Sequence, residues 1–163
     1  MTRRVRYVVG LVYGPEGALA LLDDRARVVE LLPMPVVANG RAGRAEVDPV
    51  ALAALLRQMR PREVVVDRIQ FCPRQGRASW HRGRGAAEGV IAALELPIGL
   101  VLDAPLMTRT ADWHSDAAVR RQAVFDWPGL AETFALGPAS LARAAELARA
   151  RLRDRGLIRF HDE

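Results

Sequence analysis

Between Arg68 and Arg84 the chain reads Arg-Ile-Gln-Phe-Cys-Pro-Arg-Gln-Gly-Arg-Ala-Ser-Trp-His-Arg-Gly-Arg. Arginines interleaved with Phe71, Trp80 and His81 suit a phosphate backbone and unstacked bases: guanidinium forks grip phosphate and aromatic rings offer stacking faces. The bland alternative is a solvated basic segment with Trp80 packed beneath it. Other reactive side chains are scattered. His81, His114 and His161 lie in unrelated contexts without metal-ligand spacing, and no Gly-x-Ser-x-Gly elbow is present. Gly83-x-Gly85 with Gly89 fails as a dinucleotide loop, because a long stretch separates these glycines from the preceding strand. They suit close helix packing or backbone approach to phosphate instead.

Composition narrows the classes. Half of the 163 residues are hydrophobic and the formal charge is +5, which predicts one α/β domain over residues 1–163 and an acidic partner, nucleic acid being the commonest. The single cysteine, Cys72, excludes an internal disulfide and every multi-cysteine zinc motif. Neither a secretory signal nor a span-length apolar run is found, so a cytoplasmic protein without a membrane role is expected. Every basic residue is arginine and none is lysine. That favours bidentate phosphate contacts, although a GC-rich genome would also produce it.

The elements that must position these residues can be read in order. Val5 to Tyr13, Ala18 to Leu22 and Val28 to Leu32 predict a three-stranded antiparallel meander around the turns Gly14-Pro15-Glu16-Gly17 and Asp23-Asp24-Arg25. Pro33, Pro35, Gly40 and Gly43 mark an irregular connection. Asp48 caps a helix from Pro49 to about Met59, with Leu52, Leu55, Leu56 and Met59 on one face. Glu63 to Ile69 reads as a strand buried on both faces, with Asp67 near its C-terminal end. A helix over Gly83 to Leu94, a strand over Ile98 to Leu102, a Ser115-capped helix over Asp116 to Phe125 and a last helix from about Pro138 to a Gly156 stop complete the order βββ-α-β-α-β-α-α. Leu141, Ala145, Ala148 and Leu152 form the apolar stripe of that last helix. Its arginines, Arg143, Arg149, Arg151, Arg153 and Arg155, read as a solvated face.

Specific strings carry a resemblance. Val12-Tyr13-Gly14-Pro15-Glu16-Gly17-Ala18 resembles a first strand ending in Asp-Pro-Gly-x-x-Gly-Ala, with valine in place of the aspartate. Met34-Pro35, Asp48-Pro49 through Leu56, Val64-Val65-Val66-Asp67, Pro73-Arg74-Gln75-Gly76 and Gly83-Arg84-Gly85 through Glu88-Gly89-Val90 match further motifs of the same family. The chain thus resembles the phage-type RuvC-like Holliday junction resolvases of the ribonuclease H-like superfamily over roughly residues 5 to 152. The resemblance implies an α/β fold with a mixed five-stranded sheet, three antiparallel strands then two parallel, flanked by helices. It also implies a phage-related origin, DNA as partner and a two-fold homodimer.

What the resemblance implies about chemistry is a pair of divalent metals about 4 Å apart, held by three or four carboxylates. Val12, Ser140 and Ala145 stand where three of those carboxylates belong. Asp67, in place of a glutamate, is the remnant ligand in register. Glu146, one residue off, is expected to turn away from the sheet into a solvent ion pair with Arg143 or Arg149. The leading expectation is a pseudo-nuclease without a metal cofactor that binds branched or duplex DNA through Arg68, Arg74, Arg77, Trp80, Arg82 and Arg84, or assists a DNA-processing assembly. The alternatives are a Mg- or Mn-dependent endonuclease with a rearranged site of Asp67, Asp103 and Glu16, and a protein-interaction module with a protein partner in the old groove.

Overall fold

A computed structural model describes residues 6–39, 44–67, 77–101 and 115–154, with the backbone alone at positions 39, 67, 77, 100, 101 and 154. Strands β1 (Tyr7–Val12), β2 (Ala18–Asp23) and β3 (Val28–Pro33) form the meander, and β6 (Glu63–Asp67) and β7 (Ile98–Val101) extend it. The order is β3-β2-β1-β6-β7. β1 pairs antiparallel with β2 and parallel with β6, and β6 pairs parallel with β7. This is the mixed five-stranded sheet expected from the sequence. No described helix is long and apolar enough to cross a membrane.

Helix α1 (Pro49–Met59) starts where the Asp48-Pro49 pair predicts, the Asp48 carboxylate accepting from the Val50 and Ala51 amides at 2.9 and 3.0 Å. Helices α2 (Arg77–Ala93), α3 (Asp116–Asp126), α4 (Ala131–Leu136) and α5 (Ala139–Asp154) follow, with a 3-10 turn at Pro128–Leu130. Ser115 caps α3 through the Ala118 amide.

Side-chain alternation splits the core in two. Val8, Ala18, Ala20, Leu22 and Val65 meet α3, α4 and α5 on one face. Val9, Leu11, Leu19, Leu21, Val64 and Val66 meet α1 and α2 on the other. Both layers hold because β1 and β6 are apolar at every position between their ends, as a strand covered on both faces must be.

Three expectations need correction. The connection after β3 is not irregular: β4 (Val36–Asn39) and β5 (Arg44–Val47) form a separate antiparallel ribbon. Its strands are short and Val36 and Val37 are exposed, so no in-out alternation betrays it. Helix α2 begins at Arg77, not Gly83, so the second half of the basic segment is helical. The short helix α4 was not anticipated between Pro128-Gly129 and Gly137.

Candidate nucleic-acid interface

The register of β1 against β6 pairs Val8 with Glu63 and Gly10 with Val65. Continued by two residues, that register brings the backbone of Asp67 level with Val12, whose side chain lies on the sheet face that α5 covers. Val12 is half-buried and packs against the apolar cluster to which α5 contributes Ala144, Ala145 and Ala148. Asp67 ends β6 opposite Val101, and only its backbone is described. Glu16 is exposed in the turn between β1 and β2, and Asp103 lies outside the described residues.

Helix α5 reaches this face by an unusually close approach. A Cβ on Gly10 would run into the carbonyl oxygen of Ala144 and lie 3.0 Å from the amide nitrogen of Ala148. Ala145, at an implied carboxylate position, is fully buried, and Ser140 is half-buried. The alanine-rich face lets the helix backbone sit on the strand, which leaves no room for longer side chains there.

Glu146 does turn away from the sheet, but not into solvent. Only 1% exposed, it lies between α5 and α3, 3.7 Å from Arg149. Burial first, then the neighbouring charge of Asp126 and a hydrogen bond with it, push the Glu146 carboxyl well above the ordinary carboxylate range, against the opposing pull of Arg149. Asp126 also accepts from Gln122 at 2.8 Å and Arg149 at 2.7 Å. The arginines of α5 are likewise not a solvated face. Arg143 pairs with Asp116 of α3 at 2.7 Å, and Arg151 reaches buried Glu63 at 3.4 Å. They brace the helix against its neighbours.

On the other face, α2 crosses the end of β1 where two glycines meet: a Cβ on Gly83 would lie 3.1 Å from Cα of Gly14. Gly14 itself has φ +93°, which favours glycine at this turn. Trp80 packs into the same junction, 7% exposed, with its ring edge-on to Tyr13 at 5.9 Å. The sequence left Trp80 open between wedge and packing residue. Here it is packed, and a base could stack on it only after it left this site. Tyr13 donates to Glu88 at 3.1 Å, and Arg84 donates to the same oxygen at 2.8 Å while lying over the Tyr13 ring. Burial, then Glu88, push the Tyr13 phenol far above its ordinary value. Sequence reading missed Tyr13 and Glu88. The three- and four-residue spacing of Trp80, Gly83, Ala87 and Val90, with Ile91, marks one buried stripe of α2 but singles out neither Tyr13 nor Glu88.

Arg82 projects from the exposed side of α2 and pairs with Glu46 of the ribbon at 2.7 Å. Arg77 begins the helix and is described by its backbone alone, and Arg68 and Arg74 lie outside the described residues. The described part of the candidate surface is therefore the N-terminal half of α2, which lies beside β5.

Global comparison decides the architecture. Thermus thermophilus RuvC bound to a Holliday junction superimposes with a TM-score of 0.57 at 20% identity, covering 93% of this chain and 96% of that one. The chain has the RuvC fold. A second structure of Thermus thermophilus RuvC gives a TM-score of 0.54 at 15% identity, covering 92% and 96% of the two chains. No protein-family model and no curated protein matches the sequence.

The two-metal set implied by the sequence resemblance does not fit the residues described. Val12 sits in an apolar cluster, Ala145 lies fully buried on the sheet, and Glu146 is turned into the α3–α5 contact. Among the described residues no group of three histidine, cysteine, aspartate or glutamate side chains is placed to hold a metal ion.

Proposed function

We propose that this chain is a DNA-binding protein on a RuvC scaffold, of phage-related origin, that no longer cleaves phosphodiesters and acts by binding branched or duplex DNA. One observation carries the loss of cleavage: the α5-covered end of β1 is apolar at Val12 and faces a helix of alanines packed against Gly10. Two divalent ions need several carboxylates to offset their charge, and a buried apolar contact offers none. DNA binding is supported by the likeness to a RuvC solved with its junction and by the arginines of the 68–84 segment.

In this reading Arg68, Arg74, Arg77 and Arg82 contact phosphates, and Trp80 buttresses the helix that presents them. Arg84, lying over the Tyr13 ring beside the Glu88 carboxylate that Tyr13 bonds, helps hold α2 on the end of β1 and adds charge. Exposed pairs such as Arg82 with Glu46 hold by about 1 kcal/mol or less, so a phosphate competes readily for the arginine.

The test is incubation of pure protein with labelled four-way junction and duplex DNA in Mg²⁺ or Mn²⁺, scoring cleavage and retardation together. Retardation without cleavage is expected. Cleavage abolished by Asp67→Ala would establish a rearranged metal site with Asp67, Asp103 and Glu16 instead. Absence of both would favour a protein-binding module. Substituting Arg74, Arg77 and Arg84 by alanine is expected to flatten the salt dependence of binding.

A further inference from the structure

The described charge is not confined to the end of the sheet that carries Val12. At the opposite end, where β1 and β6 begin, Arg6 directly precedes β1 and Arg62 directly precedes β6. The Arg62 amide donates to the Tyr7 carbonyl at 2.8 Å, which fixes these two segments side by side. Tyr7 pairs with Asp23, so the turn after β2, with Arg25, opens at the same end. Helix α1 also ends here. Its cap, Arg60, holds a left-handed backbone with φ 48°, and Arg57 lies one turn before it.

Arg6, Arg25, Arg57, Arg60 and Arg62 are all exposed, and no ion pair joins them to a described carboxylate. Asp23 and Glu63 at this end are buried and already bonded to Arg27 and Arg151. Half-buried Asp24 and exposed Glu95 are the acids of these turns that reach solvent. A row of guanidinium groups, held close together only by the fold, is thus left facing solvent.

We propose that this end of the sheet is a second nucleic-acid surface, where Arg6, Arg25, Arg57, Arg60 and Arg62 bind the phosphate backbone of a duplex. Three of the five sit at the ends of adjacent strands, about 5 Å apart from one strand to the next. That spacing suits a regular line of anions. Guanidinium forks match phosphate oxygens in pairs. The exposed large apolar side chains nearby are single and apart, Ile98 at the start of β7 and Val29 in β3 on opposite edges of the sheet and Val50 at the far end of α1, whereas a protein interface is centred on a cluster of buried apolar and aromatic groups. Contact is with backbone rather than bases, so binding is independent of sequence.

This surface lies about 17 Å from the Val12 end, the length of a six-residue strand. It does not rest on the reading given above. If both hold, one molecule engages two duplex segments, one at each end of its sheet.

The experiment is fluorescence anisotropy of the full chain with a short labelled duplex across a salt series. It compares the parent, an Arg74, Arg77, Arg84→Ala variant, and a variant carrying Arg6→Ala, Arg57→Ala, Arg60→Gly and Arg62→Ala. Glycine at position 60 removes charge while suiting the left-handed backbone. The four-site variant is expected to melt like the parent and to lower the slope of log K against log salt by about 3 to 4. The Arg74, Arg77, Arg84 variant should retain that contribution. If the four-site variant fails to fold, Arg57→Gln with Arg62→Gln serves in its place, with a fall of about 2. An unchanged slope and affinity would overturn the proposal. So would loss of poly-glutamate binding with duplex affinity unchanged, which would assign the face to an acidic protein. Loss of binding in the Arg74, Arg77, Arg84 variant alone would support the first surface and overturn the second.

Discussion

Gly10 of β1 lies directly against the carbonyl of Ala144 in α5, with no space for a side chain between them. This contact sets the depth at which the long helix sits on the sheet. It thereby closes the sheet face to which Val12 contributes its side chain.

Gly10→Ala is therefore expected to force backbone movement and to lower stability by about 3 kcal/mol. Gly85→Ala, on the exposed side of α2 where an added Cβ meets nothing within 4 Å, should raise stability by about 0.5–1 kcal/mol. Denaturant unfolding of both variants against the parent checks the pair. Equal effects would contradict the close-approach account.

Val12→Asp restores the residue type of the resembling family, yet places a carboxylate against the α5 apolar cluster. A loss of roughly 1–2 kcal/mol is expected, discounted because Val12 is half-buried. Restored acid alone is not expected to yield Mg²⁺-dependent nicking of a supercoiled plasmid.

Glu146 carries a pH prediction. Its carboxyl is raised in the folded chain, so the native state binds the proton more tightly than the unfolded state. Stability from this group is greatest below the unfolded value of 4.5 and falls as pH rises above it. Glu146→Gln cannot ionise and should flatten the dependence, with the variant more stable than the parent at pH 8 and the difference closing below pH 5. Thermal melts from pH 4 to 9 read this directly. Asp23 acts in the opposite sense at the acid end. Burial pushes its carboxyl up, but hydrogen bonds from Arg27 and Arg25 outweigh that and hold it low. Its stabilisation is present above the unfolded value of 3.8 and is lost as pH falls.

Trp80→Ala should cost about 3 kcal/mol or more, as removal of a buried aromatic does. Trp80→Phe should keep most of the packing. With Trp80 acting as a buttress, duplex affinity of folded Trp80→Phe matches the parent. A large loss of affinity at unchanged stability would show that the indole itself stacks on a base.

Much of the scaffold is legible in the sequence because local rules agree with the fold. The apolar runs of β1 and β6, the Asp48-Pro49 start and the Ser115 cap lie where they were expected. The β4–β5 ribbon escaped because its strands are four residues each and carry exposed valines between prolines and glycines. The first turns of α2 escaped because arginines and glycines obscure a stripe that begins at Trp80. Charge in a helix is usually exposed, so the sequence alone points Glu146, Arg143 and Arg149 to solvent. Here α3 covers them and pairs them. Among the candidate site residues, the sequence placed Val12 and Ala145 on the α5-covered face. It could not foresee that Arg82 would be tied to Glu46, a contact set by tertiary packing, whereas Arg84 with Glu88 is an i,i+4 pair that helical spacing alone allows.

The central claim is a nuclease scaffold that binds DNA without cutting it. Its most direct test is a single reaction of the full chain with labelled four-way junction in Mn²⁺, resolved on native and denaturing gels. The account predicts a retarded complex on the first and intact strands on the second. Cleaved strands that disappear in Asp67→Ala would contradict it.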